Sequence, residues 1–122
     1  MLKFKETGKI VISELKDMNF MISEAQDILD LMVDAASENC NRMIIREQNL
    51  NPDFFRLQTG LAGEILQKFS NYNFRLAIIG EFDKYKSKNL QDFIRESNKG
   101  NMIFFVSSFE EALSKLQPRN KM

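Results

Sequence analysis

Histidine and tryptophan are absent from this 122-residue chain, and cysteine occurs once. Without histidine there is no Ser-His or Cys-His pair, no imidazole base and no imidazole metal ligand. A lone Cys40 can neither close an internal disulfide nor build a cysteine-rich zinc site, and it suits a reducing compartment, the cytoplasm being the expected one. Carboxylates and lysines remain available for chemistry, but most reaction classes have lost their commonest participant. No apolar run approaches the roughly 18 residues of a membrane span. Met1-Leu2-Lys3-Phe4-Lys5-Glu6 lacks an apolar stretch of the signal-peptide kind, so no leader and no membrane partner are expected. Formal net charge is zero, and without a broad positive field nucleic acid is a disfavoured partner. With 5 glycines and 2 prolines there is no linker-like stretch, repeat or low-complexity segment. One domain over residues 1–117 is expected, with a loose tail at 118–122.

What is present is ordinary globular material. A hydrophobic fraction of 43% and a charged fraction of 28% argue against disorder. A chain of this length buries a core without staples. Its charge is uneven: residues 1–41 carry 4 basic and 8 acidic side chains, residues 42–122 carry 13 and 9. The two regions either lie together in one fold or favour head-to-tail self-association.

The apolar pattern alternates in type. Leu2 and Phe4 stand between charges, Glu6-Thr7-Gly8-Lys9 reads as a turn, and Ile10-Val11-Ile12 as a strand. Ser23-Glu24-Ala25-Gln26 has the form of a capping box opening a helix to about Glu38, with Ala25, Ile28, Leu29, Met32, Ala35 and Ala36 on one face. Met43-Ile44-Ile45 reads as a strand. A second helix follows with Leu61, Ala62, Ile65, Leu66 and Phe69 inward, then the apolar run Leu76-Ala77-Ile78-Ile79, covered on both faces. A third helix turns Leu90, Phe93 and Ile94 inward and stops at Asn98-Lys99-Gly100, with Gly100 free to take positive φ. Residues 102–106 are the next strand. Ser108-Phe109-Glu110-Glu111 caps a last helix, which Pro118 ends. Strands alternating with helices imply β-α-β crossovers and a mainly parallel sheet.

Thr59 reads in two ways. As a helix N-cap its hydroxyl accepts a backbone N–H, worth about 1 kcal/mol. Alternatively the helix mouth, with free N–H groups and partial positive charge, offers a place for a phosphate or a docking partner, and Gly60 and Gly63 leave room for a close approach. A phosphate on Thr59 would add about −1.5 to −2 charges. Gly60-Leu61-Ala62-Gly63 spells a nucleic-acid GXXG clamp, but Leu61 belongs to the core face, which removes that reading. The acidic face Glu24, Asp27, Asp30, Asp34 and Glu38 is either solvated or offset by a basic partner, a cation, or arginines such as Arg42 and Arg46. Lys84, Lys86 and Lys88 flank Tyr85 and Ser87 on a loop; they serve solvation or contact an anion or partner. Phe54-Phe55 and Phe104-Phe105 are expected to split between the two faces of the sheet, and one of Phe54 and Phe55, beside Arg56, would suit an exposed patch. Cys40 reads as a small side chain at a helix end.

The run Pro52-Asp53-Phe54-Phe55, Leu57, Thr59-Gly60, Ala62-Gly63-Glu64, Leu66-Gln67-Lys68-Phe69, Asn71-Tyr72 and Leu76-Ala77-Ile78 resembles a bacterial family, domain of unknown function 4180. So do Asp30-Leu31, Ser87-Lys88, Asp92-Phe93-Ile94 and Glu96-Ser97-Asn98. That resemblance covers nearly the whole chain and implies no activity. More distantly, the unit strand, turn, Thr59-Gly60-Leu61-Ala62-Gly63, helix, strand is similar to the STAS domain (sulfate transporter and anti-sigma factor antagonist). This likeness implies a phosphoacceptor at Thr59, although Leu57 and Gln58 stand where that pattern has an aspartate and a serine.

The expectation is therefore a single STAS-like α/β domain, a four- to five-stranded mixed sheet with about four helices. Its function would be non-catalytic regulation through another protein or a second copy of itself, with no cofactor or metal. The working surface would be Arg56, Gln58, Thr59 and Gly60, with Lys84, Lys86 and Lys88 as a secondary contact. The alternative is a small-molecule or nucleotide pocket, or a weak enzyme, at the carboxyl ends of the strands, formed by residues 47–58, 80–88 and 107–108.

Overall fold

Runs rich in isoleucine, valine and phenylalanine form the strands, and segments with apolar residues three and four apart form the helices between them. The structure, a computed structural model, describes residues 1–118; residues 119–122 of the expected tail lie outside the described residues. Strands β1 (Leu2–Thr7) and β2 (Ile10–Leu15) precede helix α1 (Ala25–Ala36), then β3 (Arg42–Arg46), α2 (Leu61–Asn71), β4 (Arg75–Ile79), α3 (Lys88–Lys99), β5 (Ile103–Val106) and α4 (Phe109–Lys115). They make one five-stranded sheet in the order β1-β2-β3-β4-β5. β1 and β2 are antiparallel, joined through Gly8 at φ +65°, and the remaining pairs are parallel. This is the mixed α/β sheet with four helices that the alternating pattern predicts.

Each crossover advances the sheet by one strand in the same direction, and right-handed crossovers of that kind place their helices on one face. Accordingly Met43, Ile45, Leu76, Ile78 and Phe105 share a large core with Ile28, Met32, Ile65, Phe69, Leu90 and Ile94 of α1, α2 and α3. The alternate residues Ile12, Ile44, Ala77, Phe104 and Val106 turn the other way, under Ala112 of α4 and Leu116 at its C-cap. The short α4 is gripped at its end by two strand arginines. Arg42 Nε donates to the Leu116 carbonyl at 2.6 Å, and Arg75 donates to the carbonyls of Lys115 and Gln117, both at 2.8 Å. These are the orphan carbonyls of a helix terminus, where cations are favoured.

Several local expectations shift. The box at α1 runs from Glu24 to Asp27 instead of Ser23 to Gln26, because the shorter Asp27 carboxylate accepts from the Ser23 and Glu24 N–H groups at 2.9 and 3.3 Å. Leu31 joins the buried face. Arg42 and Arg46 do not offset the acidic face of α1, since Arg42 is committed to Leu116 and Arg46 pairs with Glu14 at 2.7 Å. α3 ends at Lys99, but Gly100 is extended (φ −83°, ψ −160°), not left-handed. Ser108 caps α4 by accepting from the Glu111 N–H, while the Glu111 carboxylate reaches one residue further back, to Ser107. Phe104 and Phe105 do split between the two faces. Phe54 and Phe55 do not: both lie in the 3-10 turn Pro52–Phe55 and both are buried in the large core. Cys40 is buried, its thiol directed at the carbonyls of Val11 and Arg42.

One buried polar side chain fixes the end of β3. Asn49, 0% exposed, accepts from the Arg46 N–H at 3.0 Å and donates to the carbonyls of Asp17 and Phe20, both at 2.9 Å. Beside it Ile22 bridges in parallel to Leu50. The irregular segment 16–22 is thereby sewn to the β3 end. Asn49→Ala removes a partner from the Arg46 N–H and from the Phe20 carbonyl, and one of two from the Asp17 carbonyl, which keeps the Phe20 N–H at 3.2 Å. The expected loss is about 3 kcal/mol of unfolding free energy in urea titration.

Candidate functional site

At the carboxyl ends of β3, β4 and β5 the chain opens into a cleft of about 820 Å³, within the usual range of ligand pockets. Met18, Met21, Leu50, Pro52, Phe55 and Ile79 form its apolar lining; Arg46, Glu47, Gln48, Arg56, Glu81 and Lys84 supply the polar part. Met18 and Met21 are there because Asn49 holds segment 16–22 against the strand end. Phe55 is there because Pro52, at the first position of its turn, and the Asn51 side chain, accepting from the Asp53 N–H, set the 3-10 turn.

Glu47, the first residue after β3, is the half-buried charge of the cleft. Its side chain is 12% exposed. Oε1 accepts from the Glu81 N–H at 3.2 Å, and Oε2 accepts from the Tyr85 hydroxyl and from Lys84 Nζ at 2.8 Å. Burial alone pushes a carboxyl up, but the hydrogen bonds from Lys84, Tyr85 and Glu81 and the Lys84 charge together outweigh it and hold Glu47 below its ordinary value. Tyr85 moves the opposite way: burial first, then the bond to Glu47 and its negative charge, push the phenol above its ordinary range. The Tyr85 ring stacks on Phe55 with centroids 4.8 Å apart and planes 13° apart. The loop that carries Lys84 and Tyr85 is held from below by Gln91, which donates to the carbonyls of Phe82 and Tyr85.

Close packing makes Gly80 part of this arrangement. A Cβ at position 80 would lie 2.7 Å from both Cβ and Oε1 of Glu47 and 2.9 Å from the Phe82 ring. The space behind the carboxylate exists only because residue 80 has no side chain.

The family model described as domain of unknown function (DUF4180) matches residues 7–116. The chain belongs to that family. Comparison with curated proteins and with solved structures returned no match.

For this DUF4180 chain, Arg56, Gln58, Thr59 and Gly60 are all exposed, as a working surface requires. Thr59 is not the N-cap of α2. Gly60 holds that position at φ +82°, a left-handed conformation natural to glycine, and closes the 3-10 turn Leu57–Thr59. The Thr59 hydroxyl instead shares its proton between the carbonyls of Asp53 at 2.7 Å and Arg56 at 2.9 Å, and accepts from the Leu61 N–H at 3.3 Å. The three lysines are not one cluster in use: Lys84 enters the cleft, Lys88 pairs with Asp92 at 2.9 Å, and Lys86 is exposed. Lys88 first, then Arg95, hold the Asp92 carboxyl below its ordinary value. Sequence reasoning outlined the carboxyl edge but did not single out Glu47, Tyr85, Gly80 or the two methionines. The available signal was a charged residue and a glycine each standing directly after an apolar strand. Among the described residues no group of three or more acidic or cysteine side chains is placed to hold a metal ion, and no helix is long and apolar enough to cross a membrane.

Gly80→Ala is expected to cost about 1–3 kcal/mol and to displace Glu47, seen as a lower melting temperature with changed amide shifts at Glu81. The raised Tyr85 phenol sets a second expectation. A group whose folded pKa lies above its unfolded one contributes stability below the unfolded value and loses it as pH rises. Denaturation midpoints of the wild type should therefore fall, relative to Tyr85→Phe, as pH climbs past 10.0, the ordinary tyrosine value.

Proposed function

We propose that this domain is a non-catalytic binding module, regulatory in kind, that engages another protein through the carboxyl-edge cleft and the turn at its rim. One observation carries the proposal: Arg56 both lines the cleft and begins the exposed turn of Gln58, Thr59 and Gly60. Cleft and turn thus form one continuous surface. The state of Glu47 supports the non-catalytic part. A carboxylate held ionised by three donors is a poor proton acceptor, whereas a working general base needs a pKa near the operating pH and a free lone pair. A cytoplasmic setting belongs to the same proposal.

A phosphate on Thr59 would act by remodelling the turn, since its oxygen is now bonded inward to two carbonyls. A dianion cannot remain beside carbonyl oxygens, so modification would release the turn instead of merely decorating it. The cleft volume favours a second reading, in which a small molecule or nucleotide is the ligand. A melting-temperature rise with a metabolite panel supports it.

Arg56→Glu tests the main reading with little effect on folding. Its ion pair with Asp53 is exposed on both sides, so its loss is expected to change stability by less than about 1 kcal/mol. Proteins that co-purify with the wild-type chain from its own host should be lost from the variant at an unchanged melting temperature. Intact mass of the same preparation reports any phosphate. Identical co-purification with both proteins contradicts the proposal.

A further inference from the structure

We propose that the point in the cleft now occupied by the Lys84 ammonium is a subsite for an organic cation, the lysine or arginine side chain of a partner protein, and that Lys84 is its placeholder. The inference rests on the cleft being the working surface and names the chemistry that enters it.

The carboxylate is the fixed half of the pair and the lysine the replaceable half. Glu47 is 12% exposed and keeps two other donors, the Glu81 N–H and the Tyr85 hydroxyl. The Lys84 side chain is 58% exposed and reaches in from the loop between β4 and α3. Its departure would leave the carboxylate seated and partly solvated. The surroundings suit an alkyl-cation. The ammonium lies 5.5 Å from the centre of the Tyr85 ring, which is itself stacked on Phe55, and cations are attracted to aromatic faces at that range. Met18 and Met21, both partly exposed at the cleft, offer adaptable apolar surface for the stem of an incoming side chain.

Charge selects the sign of the visitor. The other cations of the lining have their own carboxylates: Arg46 has Glu14 at 2.7 Å and Arg56 has Asp53 at 3.2 Å. When Lys84 swings out, the cleft is left with Glu47 and, at its rim, Glu81, and becomes anionic. A guanidinium or ammonium regains the charge-assisted bond, while a carboxylate or phosphate would meet like charge.

The test is an amide-shift NMR titration, read at Glu81, Tyr85 and Ser107, of the full chain and of Lys84→Gln. The probes are n-butylammonium, n-butyrate, n-butanol and a capped tripeptide with a central lysine. Butylammonium and the peptide should bind Lys84→Gln about fivefold more tightly than wild type, the weight of an exposed ion pair. Glu47→Gln, whose single carbonyl oxygen can keep the Glu81 N–H while its amide donates to the Tyr85 hydroxyl oxygen, should abolish that binding. Should Glu47→Gln prove unstable, the gain shown by Lys84→Gln for the cation and not for butyrate decides the question. Equal or tighter binding of butyrate or butanol overturns the cation subsite and leaves the cleft a binding surface. Binding of butylammonium without the peptide overturns the protein side-chain source. No shift with any probe overturns both the subsite and the cleft.

Discussion

The Glu47 carboxylate lies where three parts of the chain meet, and its seat depends on a missing side chain. The end of β3 supplies the carboxylate, the end of β4 supplies the Glu81 N–H and the bare Gly80, and the following loop supplies Tyr85 and Lys84. A charge drawn partly out of water is stable only when its lone pairs are met by donors. Here they are, and the consequence is structural: the carboxylate ties the β4–α3 loop to the β3 end. The cleft is the space left beside that tie. If Glu47 could not reach past position 80, the loop would lose its anchor and Tyr85 would lose its place on Phe55.

The fold makes this possible by keeping the strands in sequential order. Crossovers that all step the same way gather three helices on one face and bring the strand ends β3, β4 and β5 side by side. Irregular backbone then collects at that edge. The 3-10 turns Glu47–Asn49 and Pro52–Phe55 form one wall of the cleft and Leu57–Thr59 follows beyond it, and each is fixed by a side chain bonded to backbone: Asn49, Asn51 and Thr59. The same device thus serves three times, because a loop at a sheet edge has few neighbouring strands with which to pair its amides.

Much of the fold was legible because it follows period and punctuation. The order of strands and helices, the parallel crossovers, the buried run of β4 and the stop of α3 all come from apolar spacing and from glycine or asparagine at element ends. What could not be read is of two kinds: competition between neighbouring side chains for the same backbone groups, and contacts between residues far apart in sequence. Asp27 displaced Gln26 in the α1 cap because a charged, shorter side chain competes better for the same N–H groups. Phe54 and Phe55 were read as strand partners, but Pro52 and Asn51 wind that stretch into a turn in which both rings face the core. Thr59 looked like a cap until Gly60 took a left-handed conformation, a choice visible only once the preceding turn is known. The turn containing Arg56, Gln58, Thr59 and Gly60 is exposed, which its sequence alone does not establish. The carboxyl edge was outlined, whereas the Glu47–Lys84–Tyr85 contact spans more than thirty positions and leaves no local pattern.

A direct reading of the Glu47 charge bears hardest on this account. Carbon-13 NMR of the side-chain carboxyls, followed against pH with Glu47 assigned by its Gln variant, gives its own titration midpoint. If Glu47 is an ionised anchor of a binding cleft, the midpoint lies below 4.5, the ordinary glutamate value. A midpoint above 4.5 would mean that burial has won over the three donors. Glu47 would then not be the ionised anchor described here, and a midpoint raised to about 6–7 would make it a carboxyl that keeps its proton in a pocket, the condition of a catalytic acid, so that the reading of this cleft as a non-catalytic binding surface would fail.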